Sequence, residues 1–358
     1  MRLLWFEAQE FRNHAATRIE PPDGLIVCVG LNAQGKTNLL EAIFYLLTLR
    51  TPRVGSDEPL IRRGADAAYV RGEIETRGGR VLVEVEIRPT GANRIRLNRS
   101  AVRRRRDVRR EVKSVLFLPE DLAIVQGEPE HRRGFLDESV EALWPIEETA
   151  RRGYERALRQ RNRLLKEHEG PGAPPDLEAW DQELVKHGVQ VVDARARAMD
   201  LVEPAATAEY ESITGDRLIV RYQPSVEGAD LETAFRERLA ARRNDELVRR
   251  RTLVGPHRDD LGLAVGDLAA RRFASHGEAW AAALCLRLGL AEALEREAGE
   301  APLVLLDDPF SGLDPDRRAR LGRRLTNGRQ TFISVPERGQ APEGALLWEV
   351  KEGRVEVA

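Results

Sequence analysis

One eight-residue segment near the start of the chain has the residue types of a phosphate-binding loop. Gly30-Leu31-Asn32-Ala33-Gln34-Gly35-Lys36-Thr37 fits the pattern Gly-x4-Gly-Lys-Ser/Thr. The apolar run 25–29 before it predicts a buried strand, and residues 37–49 after it have a helical pattern. Glycines let backbone N–H groups turn toward phosphate oxygens, and the following helix directs its positive end at the same anion. We therefore predict a nucleotide site in which Lys36 contacts the β- and γ-phosphates and the Thr37 hydroxyl binds Mg²⁺.

A matching acidic site is predicted near the other end of the chain. The apolar run 303–306 ends in Asp307-Asp308, the arrangement of a Walker B strand. Asp307 would hold the Mg²⁺ and Asp308 would polarise the attacking water; the alternative is a core strand that ends in a solvated acidic turn. Lys36 and Asp307 stand 271 positions apart (307 − 36). A compact P-loop domain does not need that gap, whereas an ATPase head with a large insertion does.

Two short segments around Asp307 complete this pattern. Ser275-His276-Gly277-Glu278 opens a predicted helix and resembles the ABC signature, whose serine and helix N-terminus face nucleotide bound by a second head. Ser311-Gly312-Leu313-Asp314 stands where a D-loop follows Walker B. The alternatives are an ordinary helix start at Ser275 and an ordinary turn into a helix at Pro315.

The composition restricts the class of protein. Apolar residues make up 42% of the 358 residues, enough for a packed core, and no apolar run approaches the length of a bilayer span. The N-terminal residues lack the pattern of a signal peptide, and Cys28 and Cys285 lie in apolar contexts, so we expect a soluble, cytoplasmic protein without disulfides. The net charge of −2 does not indicate nucleic-acid binding. Only five of the 57 basic residues are lysine, so runs of arginine carry little weight.

The pattern of elements predicts an α/β fold with a helical insertion. Period-two runs at 70–74 and 81–87 flank a Gly-Gly turn and predict a hairpin, while strands and helices alternate in the last third of the chain. Two helical stretches, 130–169 and 176–212, meet at a Gly- and Pro-rich breaker and predict an antiparallel helical arm. Only Pro145 and Gly153 are expected to break the first stretch. No Cys-x-x-Cys marks this turn, which excludes a zinc hook. We predict an ABC-type, SMC-like P-loop ATPase head with an inserted helical arm, divided into residues 1–116 (first half of the head), 117–250 (arm lobe) and 251–358 (second half of the head).

Several further segments carry a resemblance to a known family. They are Glu10-Phe11-Arg12-Asn13-His14, 118–122, 125–129, 132–137, 158–162, 180–184 and Gly255-Pro256-His257-Arg258-Asp259-Asp260. On these segments the chain resembles the RecF family of ABC/SMC-type ATPases along nearly its whole length, and the pair Asp307-Asp308 is also typical of that family. Two departures stand out. Glu278 replaces the usual glutamine of the signature, and Ser334-Val335-Pro336 has no histidine where transporter ABC domains carry a switch histidine, which predicts slow hydrolysis.

The resemblance implies further site residues. Arg12 and Asn13 would lie near the nucleotide, with a polar turn after an edge strand as the alternative. Gln126 would contact Mg²⁺, with a solvated loop residue as the alternative. His257 and Arg258 are predicted at a contact between lobes, with a site role as the alternative. The predicted catalytic residues are Lys36 and Asp308, the predicted Mg²⁺ contacts are Thr37, Asp307 and Gln126, and the predicted nucleotide contacts are Gly30, Leu31, Asn32, Ala33, Gln34, Gly35, Lys36, Thr37, Asn38, Arg12, Asn13, Ser275 and Gly277.

The resemblance also implies a function, that of an ATP-switched DNA-binding repair protein. ATP and Mg²⁺ would join two heads face to face, the dimer would clamp double-stranded DNA near single-strand gaps and help RecR and RecO load RecA, and slow, DNA-stimulated hydrolysis would reset it. The candidate DNA contacts are Arg104, Arg105, Arg109 and Arg110, because guanidinium groups neutralise phosphates, although a solvated turn explains them equally well. The alternatives are an SMC-like chromosome-organising ATPase, disfavoured by the short arm, and a transporter subunit, disfavoured by the insertion and the missing histidine.

Overall fold

The computed structural model describes residues 1–53, 55–170, 172–326 and 328–357. The chain divides into two compact units. The first comprises Met1–Leu122, Ala205–Leu218 and Ala274–Ala358, and the second comprises Ala123–Pro204 and Ile219–Phe273. The chain thus returns to the first unit twice. The segments 1–116, 117–250 and 251–358 remain a prediction of functional lobes, whereas these units are defined by packing alone.

The strands follow the alternation and apolar runs of the sequence. In chain order they are β1 (Arg2–Phe11), β2 (His14–Ile19), β3 (Leu25–Val29), β4 (Ala68–Thr76), β5 (Gly79–Ile87), β6 (Arg94–Leu97), β7 (Ser100–Val102), β8 (Ser114–Phe117), β9 (Leu218–Gln223), β10 (Asp260–Val265), β11 (Leu268–Ala269), β12 (Leu303–Asp307), β13 (Thr331–Val335), β14 (Leu346–Lys351) and β15 (Arg354–Val357). The hairpin predicted around the Gly-Gly turn is confirmed as β4–β5, and β14 and β15 form a further antiparallel hairpin.

The helices match the predicted stretches, with one exception described below. They are α1 (Lys36–Thr48), α2 (Arg105–Glu111), α3 (Leu122–Gln126), α4 (Pro129–Leu143), α5 (Glu148–Glu167), α6 (Leu177–Thr214), α7 (Leu231–Arg249), α8 (Ala270–Phe273), α9 (His276–Ala298) and α10 (Pro315–Leu325). Single-turn 3₁₀ helices cover Glu58–Leu60, Pro119–Asp121, Pro145–Glu147, Pro256–Arg258 and Arg338–Gln340. Among the described residues, no helix is both long and apolar enough to cross a membrane.

A mostly parallel sheet forms the centre of the first unit. Its strand order is β15-β14-β3-β13-β12-β8, and the strands from β14 to β8 pair in parallel. Each residue of β3, β12 and β13 is buried, as expected for parallel strands covered on both faces. Because β3 and β12 are separated in this sheet only by β13, the loop after β3 and the acids at the end of β12 come to the same sheet edge.

A second, antiparallel sheet lies in the same unit, in the order β2-β1-β4-β5-β6-β7. Strands β4 and β5 alternate between buried and more exposed residues, so one face of this sheet is buried. The buried face shares a continuous apolar core with α1 and the parallel sheet; Phe6, Ile43 and Phe332 belong to it and are fully buried. Helix α1, which begins at the P-loop lysine, is therefore fixed between the two sheets.

The second unit contains the helical arm and a small sheet in the order β11-β10-β9. The break predicted at Pro145 is confirmed: α4 ends at Leu143 and α5 starts at Glu148, because Pro145 has no N–H to continue the helix. Gly153 does not break α5 but lets α6 approach closely, since a Cβ there would lie 2.6 Å from the His187 ring. Side chains of α5, α6 and α7, including Tyr154 and Phe235, form the core of this unit.

Candidate nucleotide-binding site

The loop between β3 and α1 adopts the conformation that its glycines allow. Gly35 is the N-cap of α1 and has φ +112°, a region that favours glycine. A Cβ at this position would lie 2.7 Å from Nδ2 of Asn13, so the side chain of Asn13 closes against the loop. The Asn13 amide donates to the backbone carbonyl of Gln34, 3.2 Å away. The loop is thus clamped from outside by a residue predicted on resemblance alone.

Lys36, the first residue of α1, extends back into the loop. Its Nζ donates to the carbonyls of Gly30 at 2.6 Å and Leu31 at 2.9 Å, and the residue is only 8% exposed. Burial lowers the pKa of Lys36, while the nearby carboxylates of Asp307 and Asp308 act in the opposite direction. The ammonium group is therefore held at the mouth of the loop, where a phosphate oxygen can meet it.

Thr37 and the end of β12 are brought together as predicted. The Thr37 hydroxyl donates to Oδ2 of Asp307 at 2.7 Å, and the Ser334 hydroxyl donates to Oδ1 of the same carboxylate at 2.5 Å. The backbone N–H of Asp308 in turn donates to the Ser334 hydroxyl at 3.1 Å. Ser334 occupies the place of the switch histidine of transporter domains, and here it joins the two acids at the end of the strand.

Asp308 has the features of a strained residue with unused bonding capacity. Its φ is +47°, which is costly for a residue other than glycine. Its Oδ1 is buried without a hydrogen-bond partner among the described residues. Burial, and next the charge of Asp307, raise the pKa of the Asp308 carboxyl. An acceptor held in this state is suited to orient and polarise a water molecule.

These residues line a cavity of about 480 Å³. Of the predicted residues, those that line it are Asn13, Asn32, Ala33, Gly35, Lys36, Thr37, Asn38, Asp307 and Asp308. The others in the first unit, Arg12, Gly30, Leu31, Gln34, Ser275 and Gly277, are not among the described lining residues. Gln126 belongs to the second unit, and its contact with Mg²⁺ stays a prediction.

Sequence reasoning missed four lining residues, which are Arg53, Pro119, Ser334 and Pro336. Arg53 is the most informative because its Nη1 donates to Asn38 Oδ1 at 3.1 Å, and Asn38 donates to Asn13 Oδ1 at 2.7 Å. Arg12 is a second arginine near this series of hydrogen bonds. Its guanidinium group donates two hydrogen bonds, each of 3.0 Å, to the buried carboxylate of Glu41 on α1. Arg12 therefore positions the site from outside the cavity, whereas Arg53 lies at its wall.

The signature segment forms a regular capping box at the start of α9. The Ser275 hydroxyl accepts from the backbone N–H of Glu278, whose carboxylate accepts from the backbone N–H of Ser275. These bonds to Ser275 lower the pKa of Glu278. Gly277 packs against the D-loop, since a Cβ there would lie 2.9 Å from the carbonyl oxygen of Gly312. The signature and the D-loop are thus one packed surface, and Ser275 is exposed on it.

The donor set of the cavity fits a nucleoside triphosphate with Mg²⁺. A loop with backbone N–H groups at a helix start suits phosphate oxygens, and Lys36 adds a buried cation. Thr37 and Asp307 present oxygens 2.7 Å apart, the ligand type that Mg²⁺ prefers. Oδ1 of Asp308, which has no hydrogen-bond partner in the described part of the chain, supplies the remaining acceptor that turnover would need.

The four candidate DNA arginines do not form one exposed group. Arg105 donates to the carbonyl of Leu49 and pairs with Asp57 at 2.7 Å, and Arg109 is buried on α2. Arg104 and Arg110 are exposed. Of these four candidates, Arg104 and Arg110 present their charge to solvent, whereas Arg105 and Arg109 are packed into the fold.

A parallel sheet with a phosphate-binding loop after β3, two acids after β12 and a separate capped signature helix defines an ABC-type P-loop ATPase head of the SMC kind. The chain belongs to the RecF family, within the wider family described as RecF/RecN/SMC N terminal domain, whose model matches residues 3–352. It is 40% identical to the DNA replication and repair protein RecF of Streptomyces avermitilis over 373 residues, covering 99% of this chain and 100% of the relative. It is 41% identical to RecF of Acidothermus cellulolyticus, with both chains covered completely.

Solved structures agree with this assignment. The structure of the recombination mediator protein RecF with ATP in the RecFOR pathway matches with a TM-score of 0.90 and 28% identity, covering 100% of this chain and 97% of that one. An Smc head domain with an extended coiled coil, bound to the C-terminal domain of ScpA from Pyrococcus furiosus, matches with a TM-score of 0.57 and 15% identity, covering 100% and 96%. The second likeness shows the fold alone.

Proposed function

We propose that this protein is an ATP-switched DNA-binding protein of recombinational repair and replication restart. Its relatives at about 40% identity are DNA replication and repair proteins, and the similar solved structure is a recombination mediator with ATP. The cavity around Lys36 supports ATP binding, because its donors and acceptors fit a triphosphate with Mg²⁺. Hydrolysis is proposed to be slow and stimulated by DNA.

The observation that carries the proposal is that the signature lies outside the cavity of its own head. Ser275 caps an exposed helix start in the same unit as Lys36, yet it is not among the described residues that line the cavity. A helix N-terminus and a serine hydroxyl are suited to a phosphate. We infer that Ser275 and Gly277 contact nucleotide held by a second copy of the chain, so that nucleotide joins two heads.

The chemistry of each site follows from this chain's own side chains. Lys36 neutralises β- and γ-phosphate oxygens, and Thr37 with Asp307 would hold Mg²⁺, which adds charge stabilisation when bound. Asp308 accepts a hydrogen bond from the attacking water and orients it toward the phosphorus. Ser334 fixes Asp307 and the backbone of Asp308 but cannot act as a switch histidine does, which supports a slow turnover.

The dimer is proposed to clamp double-stranded DNA near single-strand gaps by backbone contacts. Arg104 and Arg110 are the exposed ones among the four candidates, while Arg105 is bonded to the carbonyl of Leu49 and Arg109 is buried. RecR and RecO are proposed as partners in loading RecA, since the similar solved structure is that of a protein of the RecFOR pathway. Binding without base readout predicts affinity that depends on salt and little on sequence.

The test is replacement of Ser275 by arginine, examined by sedimentation with a non-hydrolysable ATP analogue, with and without DNA. We expect monomer affinity for the analogue to stay within about twofold, because Ser275 lies outside the cavity, and nucleotide-induced dimerisation to be lost. Lys36→Ala is the matched control, since it removes the phosphate-binding charge and lowers nucleotide affinity itself. Normal dimerisation of Ser275→Arg would refute the two-head mechanism, and normal nucleotide affinity of Lys36→Ala would refute the site.

A further inference from the structure

Three arginines of the second unit gather around one irregular segment. Helix α7 ends at Arg249 and is capped by a left-handed residue, Arg250, with φ +53°. The chain then runs without regular structure to the 3₁₀ turn Pro256–Arg258. The Nη2 of Arg258 donates to the carbonyl of Thr252 at 3.1 Å. The Nη1 of Arg133, on α4, donates to the carbonyl of Asp259 at 3.1 Å. We call Arg133, Arg251 and Arg258 the arginine cluster; Arg251 and Arg258 are exposed and Arg133 is half-buried.

The acids beside the cluster are already committed to other partners. Asp259 is fully buried, pairs with Arg195 at 2.9 Å, and accepts from the Tyr222 hydroxyl at 2.5 Å and the Ser225 backbone N–H at 2.7 Å. Asp260 makes a bidentate ion pair with Arg132.

Within the described part of the chain, no ion pair joins Arg133, Arg251 or Arg258 to a carboxylate. This contrasts with exposed arginines elsewhere in the same unit, such as Arg163 with Glu167 at 2.9 Å and Arg236 with Glu232 at 2.7 Å. Arg133 and Arg258 each donate one N–H to a main-chain carbonyl, and each guanidinium group retains further N–H donors. The cluster is therefore a concentration of positive charge without internal compensation, in which main-chain carbonyls hold Arg133 and Arg258 in place.

The electrostatic surroundings agree with this geometry. Burial, and then the charges of Arg251 and Arg133, lower the pKa of Arg258. Burial also lowers the pKa of His257 to about 4, with Arg258 and Arg133 acting in the same direction, so His257 is neutral at pH 7. The three guanidinium groups thus repel one another, and an anion placed between them would relieve that repulsion.

We infer that the arginine cluster binds phosphate groups of a nucleic-acid backbone. The planar guanidinium group of arginine can donate two parallel hydrogen bonds to a phosphate. The hydrogen bonds of Arg133 and Arg258 to main-chain carbonyls of this segment fix the direction of both guanidinium groups before a phosphate binds. Backbone phosphates recur along a strand, so neighbouring arginines can each contact one. This inference rests on the proposed DNA-binding function and adds a second contact surface, separate in sequence from Arg104 and Arg110.

The experiment compares two double variants that remove the same charge from the same unit. Arg251→Ala with Arg258→Ala removes two cluster charges, whereas Arg163→Ala with Arg236→Ala removes two exposed charges that are ion-paired. Affinity for a short DNA duplex is measured against salt concentration. We expect the slope of log affinity against log salt to fall by about 1.8 in the cluster variant, or roughly 30-fold weaker binding at 0.15 M salt, with no change in the control.

Further arms separate the possible outcomes. The Arg251 side chain makes no hydrogen bond to the described residues, so the single variant Arg251→Ala should lower the slope by about 0.9 while its thermal midpoint stays that of the wild type. Equal slopes for the wild type and the cluster variants would overturn the inference but leave DNA binding intact. Absence of salt-dependent DNA binding in the wild type would refute both. Loss of tripolyphosphate or polyglutamate binding with unchanged DNA binding would also overturn it, because the site would then serve a free anion or an acidic protein.

Discussion

The nucleotide cavity of the first unit and the Arg161 network of the second unit both bury charged side chains, and they use them differently. Arg161 is fully buried, and its guanidinium group donates hydrogen bonds to three side chains: Asp181 at 2.6 Å, Glu246 at 2.6 Å and Thr252 at 2.8 Å. Glu246 is likewise fully buried, and its other oxygen accepts from the backbone N–H of Leu253. We call this network closed, because each of its charged side chains forms an ion pair within it.

The nucleotide cavity, by contrast, is open: it contains a buried polar atom whose hydrogen-bonding capacity is not used by the described residues. Lys36 contacts main-chain carbonyls instead of a carboxylate, and Asp308 combines a positive φ with a buried oxygen that lacks a partner among the described residues. Leaving a buried polar group unsatisfied costs about 1–3 kcal/mol, so such a group is expected where function needs it. In this molecule a buried charge therefore indicates function when its hydrogen-bonding capacity is unsatisfied, and structure when that capacity is saturated.

The largest effect is expected from Asp308→Asn, which tests the open side of this comparison. The amide keeps the shape and removes the carboxylate, so ATP turnover should fall by about 10²–10⁴-fold while nucleotide binding persists. The free energy of unfolding should stay the same or rise, because a buried, strained acid beside Asp307 is replaced by a neutral group. Steady-state ATPase rates and chemical denaturation measure the two quantities.

Asp23→Asn is a suitable control for this variant, since it makes the same acid-to-amide change at an exposed position of the same unit that is not among the described residues lining the cavity. A normal ATPase rate in Asp308→Asn would move the base-like role elsewhere. A marked loss of stability would show that the Asp308 carboxylate is saturated after all, and the contrast between the two regions would fail.

Arg161→Ala tests the closed side and should have the next largest effect. Removing one partner of a buried pair leaves Glu246 uncompensated, so the free energy of unfolding should fall by about 3–5 kcal/mol. Chemical denaturation measures this fall in the free energy of unfolding, and hydrogen exchange of the amides in α5 and α7 shows whether it is local to the network. The double variant Arg161→Leu with Glu246→Leu removes both charges and should recover much of the loss. Equal stability of the single variant and the wild type would contradict a structural role for the network.

The parts of the site that could be predicted from sequence are those whose signal is local. Lys36 and Asp307 each adjoin an apolar strand, and the spacing of glycines identifies the loop before α1. Ser334 and Arg53 carry no such signal: a serine after an apolar run and an arginine in a loop are common. Their place at the cavity depends on the pairing of β13 with β12 and on the path of residues after α1, which only the folded chain determines.

The same reasoning explains the errors in the arm and the basic segment. Charge runs look alike whether they are solvated or packed, so the burial of Arg109 and the pairing of Arg105 with Asp57 could not be read from composition. The helical pattern of α6 continues through Pro204, although the packing unit changes there. Pro145 carries a local signal that correctly predicts the end of α4, whereas Gly153 carries a similar signal and α5 continues through it.

The smallest effect is expected for His257, whose imidazole is a neutral member of the second unit's buried polar groups. Its Nε2 lies 3.2 Å from the carbonyl of Thr252 and so carries the proton, and its Nδ1 accepts from the Tyr154 hydroxyl at 2.6 Å. Burial lowers the pKa of His257 from 6.5 to about 4. The unfolded chain therefore binds a proton below pH 6.5 that the folded chain does not bind until about pH 4.

The sign of the pH dependence follows: the contribution of His257 to stability is present above pH 6.5 and is lost as the pH falls toward 4. Between pH 7 and pH 5 this loss is about 2 kcal/mol, from 1.36 kcal/mol for each pH unit below 6.5. His257→Gln keeps one donor and one acceptor but does not titrate, so its free energy of unfolding should fall less over the same range. Denaturation curves at both pH values measure the difference, in which all other titrating groups cancel. If the free energy of unfolding falls equally for the wild type and His257→Gln, the imidazole takes up its proton in the folded state. This buried region would then, like the nucleotide cavity, have unused hydrogen-bonding capacity.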